Sequence, residues 1–103
     1  MKLITHWIDG KSWEGAVDRR GDVFDPARGE KTAEVAFASA EVVDAAVSAA
    51  TRAAGAWRDA SLAARTRVLF AFRDLIERRK RDLAELLTRE HGKVAADALG
   101  EVN

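Results

Sequence analysis

The spacing of apolar residues changes at Ser39, and this change constrains the fold more than any other feature of the sequence. Residues 1–38 carry short β-branched and aromatic runs between turns that contain Gly or Pro, a pattern typical of strands. Residues 39–103 carry apolar side chains at the spacing of a helix. We therefore predict an α/β chain in which an N-terminal β-hairpin segment, 1–38, is followed by a helical segment, 39–103.

Turn residues predict two hairpins in the first segment. Asp9-Gly10 gives the signal of a tight hairpin turn, because Gly supplies the positive φ that such a turn needs. A bend is also predicted at residues 19–21, which end in a glycine. The last turn is predicted at residues 25–30, where a proline fixes φ and a glycine follows, and its partner strand is predicted at residues 32–37.

Two serines are the predicted N-caps of helices, because a Ser oxygen can accept a backbone N–H of the first turn. Ser39 begins the first helix and Ser61 the second, while Gly92 is the predicted C-cap, after which residues 93–103 begin another helix. The sequence does not decide whether the second helix is continuous or breaks near Arg79. The predicted inward-facing residues are Val43, Ala46, Val47, Ala50, Ala53, Ala54 and Trp57 in the first helix and Val68, Leu69, Phe72, Leu75, Ile76, Leu83, Leu86 and Leu87 in the second.

The composition allows only a small core. The chain has 103 residues, of which 21 are Ala, a side chain that buries little area on folding. We therefore expect marginal stability of the chain alone and an exposed apolar patch. Trp7, Trp13 and Trp57 are interpreted as the packing anchors of this small core rather than as a platform for a ligand.

The charges are balanced, with 17 basic and 17 acidic side chains. Nucleic acids and anionic membranes attract a net basic field, so neither is a predicted partner. The basic run at residues 78–81 is flanked by Glu77 and Asp82 and is interpreted as a solvated helix face. No apolar run has the length of a membrane span, and the N-terminus lacks the apolar region of a signal peptide, so a cytoplasmic protein is expected.

The sequence contains no common catalytic constellation. It has no Cys, which excludes a disulfide, a thiolate zinc site and a cysteine nucleophile within these residues. Its seven Gly residues include no Gly-x-Gly pair, and Gly92-Lys93 lacks the other residues of a phosphate loop. His6 and His91 lie in different predicted elements without the spacing of metal ligands. We therefore assign no catalytic, cofactor-binding or metal-ligating residue to this chain.

Five short motifs follow one another along the chain. They are Trp-Ile-Asp-Gly-Lys-Ser-Trp at residues 7–13, Asp-Pro-Ala-Arg-Gly-Glu at residues 25–30, Ala53 with Trp57, Arg65 with Leu69, and Glu-His-Gly-Lys at residues 90–93. In this order they resemble the N-terminal part of an aldehyde dehydrogenase, over nearly all of the chain. Within that family, residues 67–73, 90–93 and 97–102 are most similar to the CoA-acylating methylmalonate-semialdehyde dehydrogenase branch.

The resemblance implies a partial cofactor-binding domain of the aldehyde dehydrogenase fold, which is an incomplete part of one NAD-binding domain. It implies a homo-oligomeric parent enzyme of valine catabolism that oxidises malonate or methylmalonate semialdehyde with NAD. In such an enzyme a cysteine thiolate attacks the aldehyde, hydride leaves to the nicotinamide, and the resulting thioester passes its acyl group to coenzyme A. The 103 residues are expected to be an inactive N-terminal fragment that binds neither NAD nor coenzyme A.

Three alternatives stand beside this interpretation. A fragment of a general NAD(P)-dependent aldehyde dehydrogenase would belong to an enzyme that passes its acyl group to water. A small stand-alone interaction module would present the Ala-rich helix face to a partner. A nucleic-acid binder would use residues 78–81, and the balanced charge makes this the least favoured of the three.

Overall fold

Five strands precede three helices in the computed structural model, which describes all 103 residues. The strands are β1 (Lys2–Ile4), β2 (Trp7–Ile8), β3 (Lys11–Ser12), β4 (Arg19–Asp25) and β5 (Glu30–Phe37), and the helices are α1 (Ala40–Asp59), α2 (Leu62–His91) and α3 (Ala95–Val102). The predicted order of hairpins and then helices is confirmed. The chain forms two compact units, residues 1–23 with 31–59 and residues 24–30 with 60–103. That residues 1–38 and 39–103 together form part of one NAD-binding domain stays a prediction.

The first hairpin forms where the sequence predicts it. Strands β2 and β3 pair antiparallel, with Trp7 opposite Ser12 and Ile8 opposite Lys11. Between them Asp9 and Gly10 have φ angles of 57° and 75°, as a primed two-residue turn requires. Positive φ at both central residues matches the right-handed twist of the flanking strands, so these two residues fix the hairpin.

The other three strands form one sheet in the order β1-β5-β4. Strand β1 runs parallel to β5, with Lys2 opposite Ala33 and Ile4 opposite Val35. The sequence pattern missed β1, because a strand of three residues carries almost no periodicity and its partner lies far along the chain. Ala33 and Ala36 of β5 are buried, so this sheet contributes to the small-residue core.

The predicted bend at residues 19–21 is wrong, because these residues lie inside strand β4. At Gly21 a Cβ atom would collide with the Phe37 ring of the neighbouring strand β5, so only glycine fits at this position. The Arg19 guanidinium lies 6.0 Å from the centroid of the same ring, within the range of a cation–π contact. The glycine therefore allows a close approach between strands and does not mark a turn.

The turn between β4 and β5 is confirmed. The Asp25 side chain accepts a hydrogen bond from the backbone N–H of Ala27 at 3.0 Å, and the Asp25 carbonyl accepts one from Gly29 at 2.8 Å. Gly29 has a φ of 69°, which reverses the chain into β5.

Helix α1 begins as predicted, because the Ser39 hydroxyl accepts the backbone N–H of Val42 at 3.2 Å. Its buried residues are Val42 and Ala49, whereas Val43 and Val47 are 50% and 59% exposed. The predicted inward stripe is therefore wrong by about one residue, or roughly 100° around the helix axis. Strand β2 packs against α1, where Ala46 of the predicted stripe and the buried Ala49 line one cavity with Trp7 and Ile8.

Helix α2 is a single helix of 30 residues, which settles the open question at Arg79. The Ser61 hydroxyl accepts the backbone N–H of Ala64 at 3.1 Å at its start. At its end Gly92 adopts a left-handed φ of 89°, and its N–H donates to the Thr88 carbonyl at 2.8 Å. Both predicted caps are confirmed.

Helix α3 packs on the C-terminal part of α2. Ala98 is completely buried and Ala84 is 6% exposed, so small side chains allow this close approach. An ion pair of 2.8 Å between Lys93 Nζ and Glu101 Oε1 joins the two ends of the segment that holds α3.

All buried residues are small, and large apolar side chains lie at the surface. The buried set is Ala33, Ala36, Val42, Ala49, Ala84 and Ala98. Trp7 is 73% exposed and Trp57 is 46% exposed, so their interpretation as packing anchors is wrong, whereas Trp13 is half-buried. The expected exposed apolar surface is present, and on α2 it includes Val68, Leu69, Phe70, Phe72, Leu75, Leu83 and Leu86.

Replacing Ser61 by alanine is expected to lower the free energy of unfolding by about 1 kcal/mol, because the Ala64 N–H loses its cap. Urea titration followed by circular dichroism measures this change. The matched control is Ser48→Ala, which lies within α1 with an exposed side chain and should change stability by only a few tenths of a kcal/mol. Equal losses in the two variants would show that the cap contributes nothing.

Candidate functional site

The cavity with the most polar lining lies between the β2–β3 hairpin and α1. It has a volume of about 460 Å³ and is lined by Asp9, Lys11, Trp13, Glu14 and Arg52 together with small and apolar neighbours. The Trp13 Nε1 atom is buried without a hydrogen-bond partner. Two carboxylates and two cations around an indole could bind a small polar molecule, and the lining also includes the Ser12 hydroxyl but no Cys.

A second cavity of about 370 Å³ lies between α2 and α3. Arg81, Glu85 and Arg89 line it at successive turns of α2, and Ala84, Ala95 and Leu99 are among its other lining residues. The Thr88 hydroxyl, which also lines it, is buried without a hydrogen-bond partner. The charged side chains of α2 therefore surround an apolar surface formed by the alanines and Leu99. They do not include a nucleophile beside a general base.

A third cavity is almost wholly apolar. Its volume is about 350 Å³, and Ile76, Leu83, Leu86 and Leu87 of α2 line it together with Val102 of α3 and Glu90. These leucines continue a line of side chains along α2, here called the α2 apolar stripe, which consists of Leu69, Phe72, Leu75, Ile76, Leu83, Leu86 and Leu87. Leu69, Phe72 and Leu75 are 60%, 59% and 48% exposed, so the stripe lies open at the surface.

A charge network covers one edge of the β4–β5 hairpin. Lys31 Nζ lies 2.9 Å from Asp22 Oδ1 and 3.4 Å from Glu34 Oε2, and Arg20 lies 3.5 Å from Glu34. The hydrogen bond to Asp22 raises the pKa of Lys31 above its ordinary value, and Glu34 adds to this shift. These opposite charges on neighbouring strands stabilise the pairing of the hairpin.

The raised pKa of Lys31 predicts a pH dependence of stability. Because folding favours the protonated amine, its contribution is fully present below the unfolded pKa and is lost as pH rises through the folded pKa. The difference in unfolding free energy between the unmodified chain and Lys31→Gln should therefore shrink as the pH rises above the ordinary pKa of a lysine. Lys11→Gln, at an exposed residue outside every ion pair, is the control and should show no such trend.

Two carboxylates on the helices have pKa values below the usual range. The hydrogen bond from Lys80, 2.7 Å from Glu77, lowers the pKa of Glu77, and the one from Lys93 lowers that of Glu101. Both carboxylates form ion pairs at the surface of the unit that contains α2 and α3. Neither of them lines any of the three cavities described above. They strengthen local helix contacts and are not candidates for a general base.

The basic run at residues 78–81 makes its polar contacts along its own helix. Arg78 Nε donates to the Asp74 carbonyl at 3.4 Å, and Lys80 pairs with Glu77.

The two histidines lie in different parts of the chain. His91 is the last residue of α2. His6 lies between β1 and β2, and its backbone carbonyl accepts the Trp13 N–H. The structure brings together no group of three or more His, Cys, Asp or Glu side chains that could hold a metal ion. None of the three helices is both long enough and apolar enough for a bilayer.

The same backbone can be compared with known proteins. Residues 13–103 match the model of the aldehyde dehydrogenase family, a range that takes in the β4–β5 hairpin and all three helices. The chain belongs to the aldehyde dehydrogenase family. The resemblance inferred from the five motifs is thereby confirmed, and the α/β architecture is the N-terminal part of the aldehyde dehydrogenase fold.

Individual relatives match almost the whole chain. Malonate-semialdehyde dehydrogenase 2 of Oceanobacillus iheyensis is 35% identical over 99% of this chain and 21% of that enzyme. The mitochondrial acylating methylmalonate-semialdehyde/malonate-semialdehyde dehydrogenase of Rattus norvegicus is 38% identical over 99% of this chain and 19% of that enzyme. A Sinorhizobium meliloti protein described as a methylmalonate-semialdehyde dehydrogenase, crystallised with NAD, is 40% identical with a TM-score of 0.93 over 98% of this chain and 21% of that one. The chain thus spans about a fifth of the length of these relatives.

The expectation that this chain contributes no cofactor-binding residue stays a prediction. A pyrophosphate is commonly held at a helix N-terminus that follows a glycine-rich turn. In α1 and α2 a first-turn N–H is already bonded to Ser39 or Ser61, and α3 begins after Val94 without a glycine-rich turn.

Arg65 is one residue whose environment could not be predicted from the sequence. The sequence indicated Arg65 only as a motif residue paired with Leu69. In the structure its Nε atom is buried without a hydrogen-bond partner, and Arg65 forms no ion pair. The signal that could have pointed to it is its helical spacing with Leu69 and Phe72, which places an arginine on an apolar face.

Proposed function

We propose that this chain forms the N-terminal part of the NAD-binding domain of a CoA-acylating dehydrogenase that oxidises malonate or methylmalonate semialdehyde. The observation that carries the proposal is the similarity of 99% of the chain to an acylating enzyme for these two aldehydes. The likeness in fold to a protein crystallised with NAD supports the choice of cofactor. The reaction converts the aldehyde to an acyl-CoA through a cysteine thioester.

The contribution of these 103 residues to that reaction is structural. The chain has no Cys, so the cysteine of the proposed reaction would come from polypeptide outside these residues. The β4–β5 hairpin and the three helices supply a framework on which the other parts of the domain pack. The segments 1–38 and 39–103 belong to one NAD-binding domain in this proposal.

The proposal extends to partners and location. The enzyme works as a homo-oligomer in the cytoplasm, takes a small aldehyde acid and coenzyme A as substrates, and serves valine catabolism. The balance of 17 basic and 17 acidic side chains supports a protein that binds neither nucleic acid nor membrane through this chain.

The test is an assay of the whole gene product that contains these residues. Purified enzyme is mixed with NAD and malonate semialdehyde, methylmalonate semialdehyde or benzaldehyde, with and without coenzyme A, and NADH absorbance is followed. We expect NADH formation with the two semialdehydes and formation of the acyl-CoA. Oxidation of benzaldehyde to the free acid with no need for coenzyme A would favour the general aldehyde dehydrogenase instead.

Residues 1–103 alone are expected to produce no NADH under the same conditions, because the chain lacks a cysteine nucleophile. The control is the whole gene product at equal molar concentration. Aldehyde-dependent NADH formation by the purified 103-residue chain would contradict the structural role proposed for it.

A further inference from the structure

We propose that the Asp9-Gly10 turn is a site of spontaneous isoaspartate formation, in which the main chain passes from the backbone carboxyl group of Asp9 to its side-chain carboxyl group. The reaction takes no enzyme and no reactant other than water. It lengthens the main chain of a two-residue turn by one carbon atom and thereby loosens the β2–β3 hairpin. This inference stands independently of the proposed function.

The sequence makes Asp9 different from every other Asp in the chain. The reaction begins when the backbone nitrogen of the next residue attacks the side-chain carbonyl carbon, and a side chain on that next residue hinders the approach. Asp9 is the only one of nine Asp residues that precedes a Gly. Asp25 precedes Pro26, which has no N–H to lose. The sequence therefore favours the attack at Asp9.

The structure leaves both reacting groups of the turn unengaged. Asp9 and Gly10 are exposed, and a Cβ atom added at Gly10 would meet nothing within 4 Å. The Asp9 carboxylate forms no ion pair and no side-chain hydrogen bond. The Gly10 N–H donates no turn hydrogen bond, so its nitrogen is free to react. By contrast, Asp22 is held by Lys31 at 2.9 Å.

The turn can open at the loss of few contacts. Strands β2 and β3 have two residues each, and an isolated two-stranded hairpin is marginally stable in water. The Asp9 φ of 57° lies in the left-handed region, which a residue with a Cβ atom enters at a cost. Opening the turn relieves this strain and lets the Asp9 backbone rotate until the Gly10 nitrogen reaches Cγ.

The reaction balances with water as the only other molecule. The Gly10 nitrogen loses its proton to solvent and forms a bond to Cγ of the neutral Asp9 carboxyl group, whose hydroxyl leaves as water. The product is a cyclic succinimide. Water that adds at Cγ breaks the new bond and restores Asp9. Water that adds at the backbone carbonyl breaks the original peptide bond and leaves Gly10 attached through Cγ, and no atom is oxidised or reduced.

The rearranged linkage does not fit the observed turn. Asp9 and Gly10 join strands that pair at Ile8 and Lys11, and a two-residue turn of this type requires a positive φ at both central residues. An additional main-chain carbon changes the spacing between the paired residues. Strand β2 contacts α1, and Ile8 lines a cavity together with residues of that helix. Loss of the pairing therefore also weakens the contact between the hairpin and α1.

The experiment follows one tryptic peptide of the whole gene product that contains these residues. Trypsin cuts after Lys and Arg and releases residues 3–11 as a peptide in which Asp9 is the only acidic residue. The folded enzyme is aged at neutral pH, digested and analysed by liquid chromatography with mass spectrometry. The isoaspartyl peptide has an unchanged mass and a different retention time, and the succinimide is lighter by one water. Residues 21–28 are the matched control peptide, because they contain Asp22 and Asp25 but no Asp-Gly pair.

Two substitutions at Asp9 separate the chemistry from the turn. We expect the unsubstituted enzyme to accumulate the isoaspartyl form of residues 3–11 with time, while the control peptide stays a single species. Asp9→Asn keeps a residue that tolerates positive φ and has ammonia as its leaving group, so the peptide should convert faster. Asp9→Glu requires a larger ring, so its peptide should stay a single species.

Amide hydrogen exchange measures the consequence for the hairpin. The Trp13 N–H donates to the His6 carbonyl at 2.8 Å beside the paired strands. It should exchange faster in the aged, converted enzyme than in fresh enzyme, whereas ageing should leave the exchange in Asp9→Glu unchanged. Unchanged exchange in the converted enzyme would contradict the predicted loosening.

Two outcomes would overturn the site itself. A peptide of residues 3–11 that stays a single species in the folded enzyme but isomerises in urea would show that the turn protects Asp9. Equal conversion of the control peptide, residues 21–28, would show that the exposure and the free N–H of this turn have no special role.

Discussion

Replacing Ala98 by leucine is expected to lower the free energy of unfolding of the α2–α3 unit by about 1–3 kcal/mol. Ala98 is completely buried in α3, and Ala84 is the buried residue of the α2 helix on which α3 packs. Ala98 has no exposed surface and lines neither of the two cavities between α2 and α3, so three added carbon atoms must separate the helices or take a strained rotamer. Either response reduces the contact that holds α3.

The control for this prediction is Ala96→Leu, which adds the same atoms at an exposed position of the same helix. Its effect on stability should stay within about 0.5 kcal/mol. Hydrogen exchange of the α3 amides together with urea titration measures both variants. Equal stability of the two variants would mean that α3 tolerates displacement and that its packing on α2 contributes little.

The features predicted correctly from the sequence are those that depend on near neighbours. The Asp9-Gly10 turn and the Ser39, Ser61 and Gly92 caps each rest on hydrogen bonds or φ angles set within about four residues. The chemistry of those few residues decides the local conformation whatever packs around them. These features therefore follow from the sequence alone.

The features that sequence reasoning missed depend on distant partners. Strand β1 exists because β5 lies beside it, and the face of α1 beside β2 includes Ala49, which the predicted stripe left out. Gly21 resembles a turn residue, but it accommodates the Phe37 ring on the neighbouring strand. In each case a contact between elements outweighs a local pattern that by itself is ambiguous.

The residues of the candidate site also divide into those that near neighbours in the sequence predict and those that depend on distant partners. The stripe from Leu69 to Leu87 could be predicted from its period, because helical spacing defines a face without knowledge of its partner. The unpaired donor of Arg65 could not, because satisfaction of a guanidinium depends on which acids fold close to it. Family membership was predicted from five short motifs in order, although the chain has no Cys.

Replacing Gly92 by alanine is expected to lower the free energy of unfolding by about 1–2 kcal/mol, the cost of a left-handed conformation for a residue with a Cβ atom. Gly92 ends α2 with a φ of 89°, and its N–H donates to the Thr88 carbonyl. An added Cβ atom would also lie 3.0 Å from Cγ of Pro26 in the β4–β5 turn. The substitution therefore combines backbone strain with a tight contact.

Gly29→Ala separates these two causes. Gly29 has a similar φ of 69°, but an added Cβ atom there meets nothing within 4 Å. Urea titration should therefore show a larger loss for Gly92→Ala than for Gly29→Ala, and Pro26→Ala should recover the difference when combined with Gly92→Ala. If the two glycine variants lose the same stability, backbone strain accounts for the whole effect. The C-cap of α2 would then be independent of its contact with Pro26.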